Sequence, residues 1–174
     1  MATTTGDAFG EGRTSESAVR VLRREGGSLY LHPLPEGRLL GVGQEADSRG
    51  RTQGVQVSLF DVRDPGRPYR LDQWHLPRGW SGAEHDPHAF LYRPDSGLVA
   101  LPVDAGIRLL RVGGDTIREI GEVTHPATDR GGRRMWAPVR RSLVIGDVLW
   151  TVSDAGLRAT DPATARSVGW IATT

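Results

Sequence analysis

The chain has 174 residues, with 22 basic against 21 acidic side chains and a formal net charge of +1. That balance excludes recruitment of nucleic acid or an acidic membrane surface by net charge alone. Cysteine is absent, which excludes a disulfide frame, thiolate catalysis and thiolate metal ligands.

Residues 1–27 are rich in Thr, Gly, Ser and charge. They lack the apolar core of a secretory signal, and no stretch of the chain is long enough to span a bilayer. The chain as given is therefore expected in the cytoplasm, unless a targeting segment precedes it. Sustained helical periodicity occurs only in 15–24, which reads as a short helix or, preferably, as the last strand of a preceding unit.

From residue 28 the pattern is short apolar runs punctuated by Gly, Pro and Asp. A first unit, 28–77, places strands at 29–31, 38–42, 55–62 and 69–76. A turn at Pro35-Glu36-Gly37 and a long loop over 43–54 separate them. The alternation Val55-Gln56-Val57-Ser58-Leu59 buries one face and leaves the other polar. A second unit, 86–125, has strands at 89–92, 98–103, 107–112 and 117–124. A third, 138–173, has strands at 140–145, 148–152, 157–160 and 167–172. Gly and Asp in the turns supply the positive φ that two-residue hairpins need.

The second and third units repeat. Val103-Asp-Ala-Gly-Ile-Arg108 returns as Ser153-Asp-Ala-Gly-Leu-Arg158, each copy after an apolar run. A period near fifty residues built from short strands is the mark of a propeller blade. The fold class is therefore all-β: a partial β-propeller of about three four-stranded antiparallel blades. Closed propellers need more blades than three, so a protein partner or self-association through open blade ends is expected.

Several motifs also resemble a known family. They are Tyr30-Leu-His-Pro33, Leu39-Leu-Gly-Val-Gly43, Gly54-Val-Gln-Val-Ser-Leu-Phe-Asp-Val62, Glu84-His-Asp86 with His88-Ala-Phe90, Arg141-Ser-Leu-Val-Ile-Gly-Asp147 and Thr151-Val-Ser-Asp154. In order and spacing they resemble the carboxy-terminal part of bacterial and archaeal secreted proteins with a C-terminal β-propeller domain, distantly related to WD repeats. The resemblance implies a propeller fold and an extracytoplasmic location, and it supplies no reaction. Members of that family are much longer and begin with a signal or lipoprotein segment.

Three clusters carry chemistry. Glu45, Asp47 and Arg49 alternate as Ca²⁺-loop carboxylates do. The guanidinium at the third position opposes a cation, and no bidentate Glu follows, so the loop reads as solvated and as a partner contact. Glu84, His85, Asp86 and His88 gather imidazole and carboxylate within five residues, the donor types of a Zn²⁺ site or a general base. Their spacing matches no zinc signature, and His32 in the first unit recurs at the matching place, so a structural role is read first. Arg130, Arg133, Arg134, Arg140 and Arg141 with Trp136 form a short basic run, suited to partner contact rather than nucleic acid. Trp80 is the aromatic most expected at a contact surface; Trp74, Trp150 and Trp170 are expected between blades.

The leading functional reading is a non-enzymatic binding or scaffold module, part of a larger propeller, with no cofactor. The alternative is a metal-dependent or hydrolase-like enzyme using Glu84, His85, Asp86 and His88.

Overall fold

The computed structural model describes residues 28–46, 52–81, 86, 89–131 and 133–173. Strands β1 (Ser28–Leu34), β2 (Arg38–Ala46), β3 (Thr52–Asp61) and β4 (Tyr69–Pro77) form the first sheet, in that order. The second sheet is β5 (Leu91–Arg93), β6 (Leu98–Val103), β7 (Gly106–Gly113) and β8 (Thr116–Val123). A small hairpin follows, β9 (Thr128–Arg130) with β10 (Arg133–Met135). The third sheet is β11 (Arg141–Ile145), β12 (Val148–Ser153), β13 (Gly156–Asp161) and β14 (Arg166–Ala172). Every pairing is antiparallel. The fold is that of a partial β-propeller, and the three sheets are its blades.

Two expectations are corrected. The loop over 43–54 is shorter than expected, because β2 and β3 stay paired through Gln44↔Val55 and Glu45↔Gly54. Gly43 and Gly54 read as loop punctuation; Gly54 is instead a strand residue at φ +142, where a Cβ would lie 2.1 Å from the Leu76 carbonyl oxygen. The hairpin β9–β10 was not expected at all. In the second blade the first strand begins at Leu91, since Ala89 sits in a turn and donates its N–H to the Asp86 carbonyl at 2.9 Å.

The fifty-residue period extends into backbone irregularities. Each blade breaks register between its third and fourth strands, at Leu59/Phe60, Leu109/Leu110 and Ala159/Thr160. A bulge sharpens the local twist, and its recurrence gives all three blades the same bend.

Alternation then sorts side chains between two interfaces. Leu40, Val42, Val55, Val57 and Leu59 of blade 1 pack on Val99, Leu101, Val103, Leu110 and Val112 of blade 2. The opposite face of blade 2, with Ala100, Ile107, Leu109 and Val123, packs on Leu149 and Val144 of blade 3 and on Val139 of the linker. An arginine reaches from blade 1 to a Gly-Asp turn of blade 2, and another from blade 2 to a Gly-Asp turn of blade 3. Arg38 donates to the Gly114 carbonyl at 2.7 Å and pairs with Asp115 at 2.8 Å. Arg93 donates to the Gly146 carbonyl at 2.7 Å. Between blades 1 and 2, Asp72 also accepts the Ile117 N–H at 2.7 Å, and the Trp74 indole donates to Glu119 at 3.0 Å.

The repeated glycine that opens the third strand has a steric reason. Gly156 has φ +150, and a Cβ there would lie 2.1 Å from the Ile171 carbonyl oxygen. Gly156→Ala is expected to cost about 2–3 kcal/mol from backbone strain and displacement of β14. Urea unfolding of the variant checks this; an unchanged midpoint would mean that β14 yields freely.

Candidate functional site

The linkers between blades cross one end of the sheets and build a cleft there. After β4, Arg78 takes φ 62 and donates its N–H to the Gln53 carbonyl at 2.9 Å, which turns the chain toward blade 2. The next residues are pinned to the β6–β7 turn. Asp104 donates its N–H to the Trp80 carbonyl at 2.8 Å, and its carboxylate accepts the Trp80 N–H at 3.1 Å. Ser81 bridges Val103, and its hydroxyl donates to the Pro102 carbonyl at 2.8 Å. The backbone of Trp80 is thus fixed while its side chain remains 49% exposed.

Blade 3 uses the same turn differently. Asp154, fifty residues after Asp104, accepts Nε and Nη2 of Arg140 at 3.0 and 2.8 Å. Val139 donates its N–H to the Ala105 carbonyl at 3.1 Å, joining linker and neighbouring blade. Arg141 pairs with Asp86 at 2.9 Å and donates to the Arg140 carbonyl at 2.7 Å. The result is a cleft of about 670 Å³ with Trp80 and Pro102 on one side and Pro138, Arg140 and Arg141 on the other. Apolar walls with a few fixed charges suit recognition of a small ligand or a partner's loop.

The structure brings four residues singled out in the sequence, Trp80, Asp86, Arg140 and Arg141, into this cleft. Glu84, His85 and His88 lie outside the described residues, as do Asp47 and Arg49. Glu45 lies in β2 opposite Gly54, which pairs with Pro77, so its backbone sits at the same end of the molecule as Trp80. Arg133 and Arg134 both fall in β10, beside the exposed Met135 and Trp136. Among the described residues, no three His, Asp or Glu side chains converge as a metal site would require.

His32 packs among aromatic side chains. It is half-buried, shares a hydrogen bond with the Tyr30 hydroxyl at 3.2 Å, and lies 5.2 Å from the rings of Phe90 and Tyr92. Burial lowers its pKa.

The sequence reading missed His125. This buried side chain lies between blades 2 and 3, with Nδ1 2.6 Å from Ser153 Oγ and Nε2 2.8 Å from Thr151 Oγ1. The Trp170 ring meets it edge-on at 4.9 Å. The proton positions follow from the surroundings. Thr151 donates to the Arg158 carbonyl, so it accepts from Nε2–H. Ser153 accepts the Ala155 N–H and is left to donate to Nδ1. The neutral imidazole satisfies both ring nitrogens with these partners. Burial, with the nearby Arg158 guanidinium, holds its pKa down at about 4. His75, fifty residues earlier, was the signal available in the sequence.

Comparison with known proteins agrees with this architecture. The family described as "Beta propeller domain" matches residues 19–165. An uncharacterized protein of Methanocaldococcus jannaschii is 28% identical over 132 residues, 76% of this chain and 19% of that protein. One of Archaeoglobus fulgidus is 32% identical over 112 residues, 59% of this chain and 17% of that protein. The chain thus spans about a fifth of the length of the curated relatives it matches. With the match to the family covering most of its length, this chain belongs to the beta propeller domain family.

Proposed function

We propose that the chain is a non-enzymatic binding module, with the cleft at the linker end of blades 2 and 3 as its recognition surface. The observation that carries this reading is the fixing of Trp80. Its backbone is held at both N–H and carbonyl by Asp104, while its ring faces solvent beside the cleft. A rigid aromatic anchor binds with little loss of conformational freedom. Asp86, the described member of the expected metal cluster, is already paired with Arg141. That pairing favours an architectural carboxylate over a catalytic one.

Two measurements test the reading. Peptides and oligosaccharides that bind the immobilised protein on arrays are expected to lose at least about tenfold in affinity to Trp80→Ala, one hot-spot aromatic's worth. Binding unaffected by that change would place recognition elsewhere. Metal analysis after dialysis against buffer is expected to show no stoichiometric Zn²⁺ or Ca²⁺. One retained equivalent, lost in His88→Ala, would favour a metal-dependent enzyme instead.

A further inference from the structure

The two interfaces of blade 2 differ in kind. Among the described residues, thirteen buried apolar side chains form the core between blades 1 and 2, and six form the core between blades 2 and 3. The second interface is also polar. Thr151 lies opposite Ser142, and Leu149 opposite Thr160. Directly opposed residues share a face, so Ser142, Thr151 and Thr160 look toward blade 2 as Leu149 does. The hydroxyl oxygens of Ser142 and Thr160 are buried there without a hydrogen-bond partner in the protein. Buried polar groups left unpaired weaken an interface. In a stacked array each unit is held by its neighbour alone, so blade 3 depends on the smaller and more polar contact.

His125 bridges this seam. It follows β8 of blade 2, and both its hydrogen bonds go to β12 of blade 3, to Ser153 at 2.6 Å and Thr151 at 2.8 Å. From β14 the Trp170 indole meets it edge-on, and in the linker Pro126, Ala127 and Trp136 line a pocket with it. The charged group beside the ring is the Arg158 guanidinium of β13. The carboxylates nearest in the chain are engaged elsewhere: Glu122 of β8 with Arg108 at 3.3 Å, and Asp154 after β12 with Arg140 at 2.8 Å.

We propose that His125 is an acid-sensitive latch: a proton on its imidazole releases blade 3 from blade 2 while the interface between blades 1 and 2 stays closed. The proton makes Nδ1 a donor, so the Ser153 hydroxyl loses its acceptor. It also sets a second cation beside Arg158 in a buried seam, and opening returns that charge to water. Proteins open in contiguous units of this kind without unfolding throughout. His32, at the other interface, hydrogen-bonds to Tyr30 of its own strand, so protonating it breaks no bond between blades. The imidazole takes up a proton near 6.5 in water and near about 4 in the closed seam. A fall from pH 7 to pH 5 therefore raises the opened fraction about twentyfold. Opening also parts the walls of the cleft, where Trp80 and Pro102 face Arg140 and Arg141. That consequence rests on the binding-module reading; the latch does not.

Strand β6 supplies the test. Val99 packs toward blade 1 and its neighbour Ala100 toward blade 3, and both are fully buried. The cysteine-free chain can carry either position as its single thiol, in Val99→Cys or Ala100→Cys. Labelling by a dithiodipyridine, which reacts in acid, is followed from pH 7 to pH 5 and corrected for the reagent's own pH dependence. Ala100→Cys is expected to label about twentyfold faster at pH 5, and Val99→Cys at an unchanged rate. Adding His125→Phe is expected to abolish the rise. Far-UV spectra check that the variants fold at both pH values. Amide exchange of the wild type, corrected for intrinsic rates, makes the same comparison between β12–β13 and β2–β3 without any substitution. Equal acceleration at both positions, acceleration at neither, or a rise that survives His125→Phe overturns the latch. Array ligands indifferent to Trp80 would overturn the cleft reading alone and leave the latch standing.

Discussion

Leu109→Ala is expected to lower the unfolding free energy by about 3–4 kcal/mol, and Leu110→Ala by a similar amount. Both side chains are fully buried. They are neighbours in β7 but lie on opposite faces of blade 2. Leu109 packs toward blade 3, and Leu110 toward blade 1. Each truncation removes three carbons from a close-packed interface between sheets that relax little, so a cavity term adds to the lost transfer energy. The pair also tests how the blades cooperate. In a stacked array, stability is a sum of unit and interface contributions. Leu109→Ala should therefore weaken blade 3 most, and Leu110→Ala blade 1. Urea unfolding followed by tryptophan emission reads the size of each effect, and amide exchange reads where it falls. A cost below about 1 kcal/mol at either site would mean that the interface can collapse to fill the space.

Acid is expected to act through His125. In the unfolded chain the imidazole takes up a proton near its ordinary value of 6.5, and in the folded protein only near about 4. Between these values the unfolded state binds more protons than the folded state. The contribution to stability is therefore complete above about pH 6.5, is lost progressively as pH falls toward 4, and changes no further below that. The full shift corresponds to about 3 kcal/mol. Burial of the ring, which disfavours its charged form, is the main cause. A proton on Nδ1 would face the Ser153 oxygen, which already accepts the Ala155 N–H, and the hydroxyl proton of Ser153 would lose its acceptor. The charged ring would also lie near Arg158, whose guanidinium bonds to the Thr124 carbonyl beside it. Denaturant titrations at a series of pH values should show this slope in the wild type and lose most of it in His125→Phe. An equal slope in both would assign the acid sensitivity to other groups.

How much of this was legible in the sequence depends on which physical signal each residue carries. The hairpins of blades 2 and 3 were clear, because a two-residue turn demands a Gly, Asn or Asp and these stand where the apolar runs break. Strand 98–103 was located to the residue. The first blade was blurred because Gly43 and Gly54 carry the composition of a loop while serving as strand residues, Gly54 close against the Leu76 carbonyl. The hairpin β9–β10 was invisible because its strands have three residues each and carry Thr, Asp and Arg rather than an apolar alternation. In the cleft, Trp80 stood out as an aromatic in a Pro- and Gly-containing linker. The roles of Asp104 and Asp154 did not, since turn aspartates look alike until the linker that each one grips is known. His125 escaped because its partners, Thr151 and Ser153, lie in another blade, a contact set by tertiary packing alone.

The central claim is that three blades repeat one interface in order, so that blade 2 is packed on both faces. Amide hydrogen exchange, read segment by segment, tests it most directly. The strongest protection is expected in β6 and β7, which have a neighbouring blade on both faces, with β2 and β3 close behind. The segment 128–135 should exchange fastest among the strands. Protection of 141–172 should be weaker than that of β6 and β7. Protection of 141–172 equal to that of β6 and β7, or protection of β6 and β7 no greater than that of 128–135, would contradict the account.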